Sequence, residues 1–193
     1  NRLQGHGRHG WDFQSRLYRM DAITLKRKWR LVDLAVVFSL AALVLACAWI
    51  YRDFPQDDAF ITYRYARNLA RGQGFVYNPG EYVLGTTTPL YTMLLALLNR
   101  LSGQDLRVIS HVLSMGSLWL GGLVLYRLGG ELNPAPAAGS AVVYVTSPLL
   151  ISNVGMETLF LLALALVAIH SYLAGRRVLA GVLLGLLLLT RYE

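Results

Sequence analysis

The chain holds a single cysteine, Cys47, inside an apolar run. No intrachain disulfide can form, and no zinc cluster can be built from thiolates. Charge is scarce too: Asp, Glu, Lys and Arg make up 15% of the residues, against about 25% in an ordinary soluble domain. Acidic residues are the rarer sign, 11 against 18 Lys and Arg. The basic residues lack the aromatic interleaving of a nucleic-acid surface, which argues against nucleic acid as a partner.

Hydrophobic residues, by contrast, make up 55% of the chain and fall into long runs that a single globular core has no need of. This patterning predicts a membrane protein. The net charge of +7 is also uneven. Residues 1–30 carry Arg2, Arg8, Arg16, Arg19, Lys26, Arg27, Lys28 and Arg30 against Asp12 and Asp21. Basic flanks stay on the cytoplasmic side, so residues 1–30 are expected to form a cytoplasmic tail. His6 and His9 lie in a Gly-rich lead-in. Met20 opens a stretch that resembles a natural N-terminus, and residues 1–19 read as disordered or upstream sequence.

The first apolar run, 31–50, suits a helix crossing a hydrocarbon core of roughly 30 Å. It is longer than a signal-peptide core and has no small-x-small cleavage site after it. Its one charge, Asp33, is expected to be solvated or paired with the basic flank. Residues 51–105 then form a long extracytoplasmic loop carrying two juxtamembrane helices. The first covers 57–71 and stops at Gly72 and Gly74. The second, 89–101, is apolar but too short to cross comfortably. Between them Phe75–Tyr77 reads as extended, and Asn78-Pro-Gly-Glu81 as a type II turn. Further spans are expected at about 106–128, 136–151 with a kink near Pro148, 158–174 and 178–190. Gly181 and Gly185 have the spacing of close helix packing, or the pair is incidental in a Gly- and Leu-rich run. If 89–101 does not cross, Lys26–Arg30, Arg127 and Arg176–Arg177 all fall inside, as the positive-inside rule requires. The fold class is therefore all-α, a multi-pass transmembrane helix bundle. The sequence stops just past an apolar run, which reads as a truncated membrane domain over 31–193.

The chemistry is expected in Asp57-Asp-Ala-Phe-Ile-Thr-Tyr-Arg-Tyr-Ala-Arg-Asn68. One carboxylate can cap the helix and meet its positive end, which leaves the second unexplained. Two adjacent carboxylates repel, and one then holds its proton more readily, as a general base facing an acceptor hydroxyl needs. Helical spacing puts Asp57, Ile61, Arg64 and Asn68 on one stripe, with Asp58, Thr62 and Tyr65 beside it. Arg64 suits a phosphate. Arg67 reads better as a snorkelling interfacial cation. Glu81, after its Pro-Gly turn, reads as structural.

Together, Asp57-Asp58 after the first span, Tyr63-Arg-Tyr-Ala-Arg-Asn68, Gly74-Phe-Val-Tyr-Asn-Pro-Gly-Glu81 and Thr86-Thr-Thr-Pro-Leu-Tyr91 resemble polytopic GT-C glycosyltransferases. The likeness is to bacterial arabinofuranosyltransferase-like members first, and to protein O-mannosyltransferases and aminoarabinose transferases more distantly. It covers about 31–193. It implies transfer of a sugar from a polyprenyl-phosphate donor to an acceptor hydroxyl on a glycan, lipid or protein, at the outer face of the cell membrane. By this resemblance Asp57 is the base, and Asp58 orients the acceptor or binds a divalent metal. Arg64, Tyr65, Asn68 and Glu157 are the expected substrate-binding residues. Glu157, in Asn153-Val-Gly-Met-Glu-Thr158, is alternatively a glutamate favoured by its helix N-terminus. Family members have further spans, which help to bind the lipid phosphate. The rival reading is a polytopic transporter or lipid flippase, which needs ionisable groups at membrane depth.

Overall fold

The computed structural model describes residues 31–52, 57–81, 83, 85–130 and 133–191. The expected basic tail, 1–30, lies outside the described residues. Those residues form eight helices and no strand: α1 (Leu31–Ile50), α2 (Ala59–Ala70), α3 (Pro89–Ser102), α4 (Leu106–Gly130), α5 (Pro134–Thr146), α6 (Pro148–Ile151), α7 (Thr158–Leu173) and α8 (Arg177–Thr190).

The all-α expectation holds, and most helix bounds follow the apolar runs. Only α1, with 20 residues, and α4, with 25, are long and apolar enough to cross a membrane. At 1.5 Å per residue they reach about 30 and 37 Å. The apolar α7 and α8 have 16 and 14 residues.

Proline sets three helix starts, at Pro89, Pro134 and Pro148, where its missing N–H costs nothing. Asn133 caps α5 by accepting from the Ala135 N–H at 3.3 Å. Pro148 also forces Ser147 into an extended conformation (φ −62°, ψ 120°). The expected 136–151 span is therefore broken into α5 and α6.

Two clusters make the interior. In one, Leu40, Val44 and Cys47 of α1 meet Met115, Leu118 and Tyr126 of α4 and Ala137, Ala141 and Val145 of α5. The second joins Ala59, Tyr63 and Ala66 of α2 to Tyr91, Leu95 and Ala96 of α3 and to Leu106 and Ile109 at the head of α4. So α2 and α3 pack as a layer against the first turns of α4. Outward, the helices stay apolar: Phe38, Leu45 and Trp49 on α1, Val112 on α4, Val143 on α5 and Leu188 on α8 are all exposed.

Close helix approach does not fall where the Gly181 and Gly185 spacing suggested. Both glycines are exposed, with open space where a Cβ would stand. The tight contact lies between α4 and α5. A Cβ on Gly122 would sit 2.7 Å from Val145 Cγ1, and one on Gly129 3.0 Å from the Ala137 Cβ. Of the two expectations for Asp33, solvation does not hold, and pairing with the basic flank lies outside the described residues. Asp33 is fully buried, and its carboxylate accepts from the Tyr126 hydroxyl at 2.6 Å. That bond ties the first turn of α1 to the last turns of α4.

Because Val145 is short and stiff at χ1, Gly122→Leu must push α5 off α4. We expect a loss of about 1–3 kcal/mol, as for other overpacked cores, read as a lower thermal midpoint in detergent. Gly181→Leu should leave the midpoint unchanged.

Candidate active site

The helix α2 begins at Asp58, whose backbone is already helical (φ −62°, ψ −28°) and whose side chain makes no capping hydrogen bond. Asp57 and Asp58 are both exposed. Neither carboxylate has a hydrogen-bond or ion-pair partner among the described residues. The capping explanation for one of them is thus not realised. Both charges stand at the positive end of α2, just after α1 ends.

The expected substrate-binding residues on α2 are committed to the chain itself. Asn68 donates from Nδ2 to the carbonyls of Val76 and Tyr77, both at 2.9 Å. Arg64 donates to the Tyr77 carbonyl at 3.0 Å and to Asn78 Oδ1 at 2.9 Å, with its guanidinium 4.6 Å from the centre of the Tyr77 ring. Tyr65 is 1% exposed. Its hydroxyl donates to the Val83 carbonyl and accepts from the Gly85 N–H, both at 2.7 Å. These bonds satisfy carbonyls that a strand ladder would otherwise pair, so Phe75–Tyr77 is irregular rather than extended. The loop then turns as expected at Asn78–Glu81, with Gly80 at φ 89° and the Glu81 N–H donating to the Asn78 carbonyl at 3.1 Å.

Beside the contact between α2 and this loop lies a cleft of about 550 Å³ lined by Arg64, Arg67, Arg71, Asn68, Gln73 and Tyr77. Arg67 and Arg71 are exposed, with no ion pair among the described residues. Such a face attracts anions.

Glu157 is 5% exposed, and its Oε1 pairs with Arg191 Nη1 at 3.3 Å. It precedes α7 without capping it by its side chain. Its turn is fastened to α2 through Tyr63. The Tyr63 hydroxyl donates to the Gly155 carbonyl at 3.1 Å and shares a short hydrogen bond with Ser110 Oγ on α4. The Gly155 N–H in turn donates to Ser114 Oγ at 3.0 Å. Five residues of α2 separate Tyr63 from Asp58, about 7.5 Å along the axis. The acid pair and the Asn153–Thr158 turn therefore share one end of the bundle.

Sequence patterning missed Tyr63, Ser110, Ser114, Gly155 and Arg191. Ser110 and Ser114, four residues apart in an apolar helix, were the signal available.

No group of three or more His, Cys, Asp or Glu comes together among the described residues. Asp57 and Asp58 fit a hard cation only as a partial oxygen set. An ion such as Mg²⁺, which keeps several waters and takes substrate phosphate, suits such a set.

Burial pushes the Tyr63 phenol above its usual range, against the pull of its bond to Ser110. Burial pushes Tyr91 further up, helped by neighbouring Tyr63 and Glu157 and opposed by the nearby Ser114 hydroxyl, which stands outside hydrogen-bond geometry. The Tyr91 hydroxyl has no hydrogen-bond partner among the described residues.

Gly155 has φ 95°, and a Cβ there would stand 2.8 Å from the Tyr63 hydroxyl. Gly155→Ala should cost about 1–3 kcal/mol through backbone strain and a displaced Tyr63, measured as a lower unfolding midpoint. The tyrosines give a pH signature. A phenol whose folded pKa is raised contributes fully below its unfolded value of about 10, and its contribution is lost as pH rises from there through the higher folded value. Stability should thus fall above about pH 10. Tyr91→Phe, which removes an unpartnered buried hydroxyl, should be neutral or stabilising at pH 7 and should flatten that alkaline fall in a pH series of thermal melts.

Compared with known proteins, the chain finds no match: no family model, no curated protein and no solved structure is significantly similar to it.

Proposed function

We propose that the chain is a multi-pass membrane domain that transfers a sugar from a polyprenyl-phosphate donor to an acceptor hydroxyl at the outer membrane face, with Asp57 as general base. The observation that carries this reading is the unpartnered acid pair at the head of α2. A carboxylate kept free of caps and ion pairs, on a helix pinned along its length, suits proton abstraction better than it suits structure. The apolar outward faces of α1, α4, α5 and α8 support a bundle standing in lipid. In this reading the shorter α5–α6, α7 and α8 also cross, the N-terminus is cytoplasmic, and α2 and α3 lie at the outer interface. The motif resemblance in 57–91 supplies the reaction class.

In the transfer, the acceptor oxygen bonds to the anomeric carbon while its proton passes to the Asp57 carboxylate. The bond from that carbon to the donor phosphate oxygen breaks, and the electron pair leaves with the phosphate. Attack from the face opposite the phosphate inverts the centre. Asp58 orients the acceptor or holds a divalent cation. Since Arg64, Tyr65 and Asn68 hold the loop 75–85, they act by setting the position of α2. Glu157 lies at the same end with its charge answered by Arg191.

The transport reading draws on Asp33, a buried ionisable group in an apolar helix. It sits in the first turn of α1 and is bonded to Tyr126, so it anchors a helix end and marks no path between the faces.

In an assay with polyprenyl-phosphate sugars, Asp57→Asn in the full-length protein should reduce transfer about 10²–10⁴-fold while inserting and melting normally. Full transfer by a correctly inserted Asp57→Asn would refute the assignment.

A further inference from the structure

The exposed residues Phe60, Arg64, Arg67 and Arg71 recur along α2 at the spacing that lines one face of a helix. The opposite face, with Ala59, Tyr63 and Ala66, is buried against α3 and α4. Carried back one turn, the exposed line meets Asp57, where the Phe60 N–H already donates to the Asp57 carbonyl at 3.1 Å. Two clefts flank the line. The larger, about 550 Å³, takes in Phe60, Arg64, Asn68, Gln73 and Tyr77. The smaller, about 300 Å³, takes in Asn99, Gln104 and Asp105 around the turn between α3 and α4. Arg67 and Arg71 line both, so the clefts adjoin at these two side chains. From Phe60 to Arg71 the trough runs about 16 Å along the helix axis.

The two arginines serve no contact within the fold. Like charges four residues apart on a helix repel. The Asp105 carboxylate, beside them in the smaller cleft, accepts from the Arg107 backbone N–H at 2.8 Å and makes no ion pair with either. The negative end of α2 favours a cation there, which accounts for the charge but not for the polar cavities it faces. Around it stand amides with spare capacity. The Gln73 and Gln104 side chains have no partner among the described residues, and Asn68 Oδ1 accepts from none of them. Rings complete the lining: Phe60 is 41% and Tyr77 38% exposed.

This chemistry does not suit a lipid surface. A snorkelling arginine, the role its sequence position suggested for Arg67, lies along an apolar wall. Arg67 instead stands between clefts whose apolar members are separate rings, Pro79 and Leu106, with no run to take an acyl chain. Guanidiniums and amides suit sugar hydroxyls, and a ring suits the apolar face of a sugar. A guanidinium fork also matches a carboxylate in shape. Two guanidiniums set against Asp105 suit a singly charged group better than a phosphate monoester, whose charge is about −1.5 to −2.

We propose that the trough along α2 binds an acidic saccharide, a short chain of sugars bearing carboxylates. Arg67 and Arg71 take a carboxylate, and Gln73 takes a hydroxyl. These arginines stand about 15 and 21 Å along the axis from Asp57, beyond the roughly 10 Å over which exposed charges act at moderate salt. The acid pair therefore does not repel the bound carboxylate, while the line of exposed residues leads the saccharide toward Asp57. That this saccharide is the acceptor of the transfer rests on the reading above; that the trough binds it does not.

The test is calorimetric titration of the full chain in uncharged detergent with trigalacturonate and with maltotriose, an uncharged saccharide of similar size. Trigalacturonate should bind, and more weakly as salt rises. Maltotriose should bind about tenfold or more weakly, the difference expected for a charge-assisted hydrogen bond. The double variant Arg67→Gln/Arg71→Gln should lose trigalacturonate binding while keeping its helicity and melting, because both side chains are exposed. Acetate at the same concentration should not displace trigalacturonate, nor should bicelles containing phosphatidylglycerol displace it better than bicelles of phosphatidylcholine alone. No binding of trigalacturonate, equal binding of maltotriose, or normal binding by the folded double variant would each overturn the proposal. Displacement by acetate would reduce the trough to a simple anion site, and displacement by phosphatidylglycerol would make it a headgroup site; either also overturns it. Asp57→Asn should bind trigalacturonate normally. Binding of this pattern in a chain without transfer keeps the trough and removes only the sugar-transfer reading, whereas transfer by a chain that binds no acidic saccharide does the reverse.

Discussion

The hydroxyl of Tyr63 is the junction on which the arrangement of the site depends. It joins three separate pieces of chain: α2, where it resides, Ser110 on α4, and the Gly155 carbonyl in the turn before α7. None of these pieces is held to the others by sequence proximity, since 47 and 92 residues separate the partners. Short α2 is too small to be stable alone. Its position comes from burying Ala59, Tyr63 and Ala66 against α3 and α4, and the Tyr63 bonds fix its register on that surface. The geometry then requires a glycine at position 155, because any side chain there occupies the space of the phenol oxygen.

The opposite edge of α2 shows the same economy. Asn68, Arg64 and Tyr65 satisfy the carbonyls of Val76, Tyr77 and Val83 and the N–H of Gly85. A loop without regular structure must find partners for its backbone or leave them to water, and here one helix provides them. Tyr65 adds ring contacts with Phe75 and Tyr77 at 5.3 and 5.8 Å. The residues that look most like a substrate-binding stripe in sequence thus also hold the loop, and Arg64 and Asn68 line the cleft beside it. What remains uncommitted on α2 is its first turn, with the acid pair, and the outward arginines 67 and 71.

Elements governed by local rules were legible in the sequence. The apolar run 31–50 became α1 residue for residue, the Asn78–Glu81 turn formed through Gly80, and Pro148 interrupted its helix because proline drives the preceding residue out of the helical region. Features that depend on which helix faces which were not legible. Asp33 looked like a boundary charge because its partner Tyr126 lies 93 residues away. The Glu157 partner, Arg191, comes from the far end of α8. The glycine spacing at 181 and 185 suggested a contact, yet periodicity cannot tell which face of a helix meets a neighbour. Gly122, with no such spacing to advertise it, makes the contact instead. At the site, the adjacency of Asp57 and Asp58 was visible, but their freedom from partners was a tertiary fact.

The acid pair and Arg107 stand on different elements. Arg107 and His111 belong to α4, whose place in the bundle is set by its Gly122 contact with α5 and by the Asp33 bond to Tyr126. Asp57 and Asp58 belong to α2, which reaches α4 only through its own packing, the Tyr63 bonds and the Phe60–Arg107 contact. In the proposed transfer a carboxylate and a donor phosphate repel, and the repulsion grows as water is removed, so such a site must hold them apart at a fixed distance. The acid pair and Arg107 are carried by separate helices, joined where Arg107 lies against Phe60. Loosening α2 moves the acid pair and leaves the α1–α4 contact intact, whereas disturbing α4 moves Arg107 and the surface on which α2 rests.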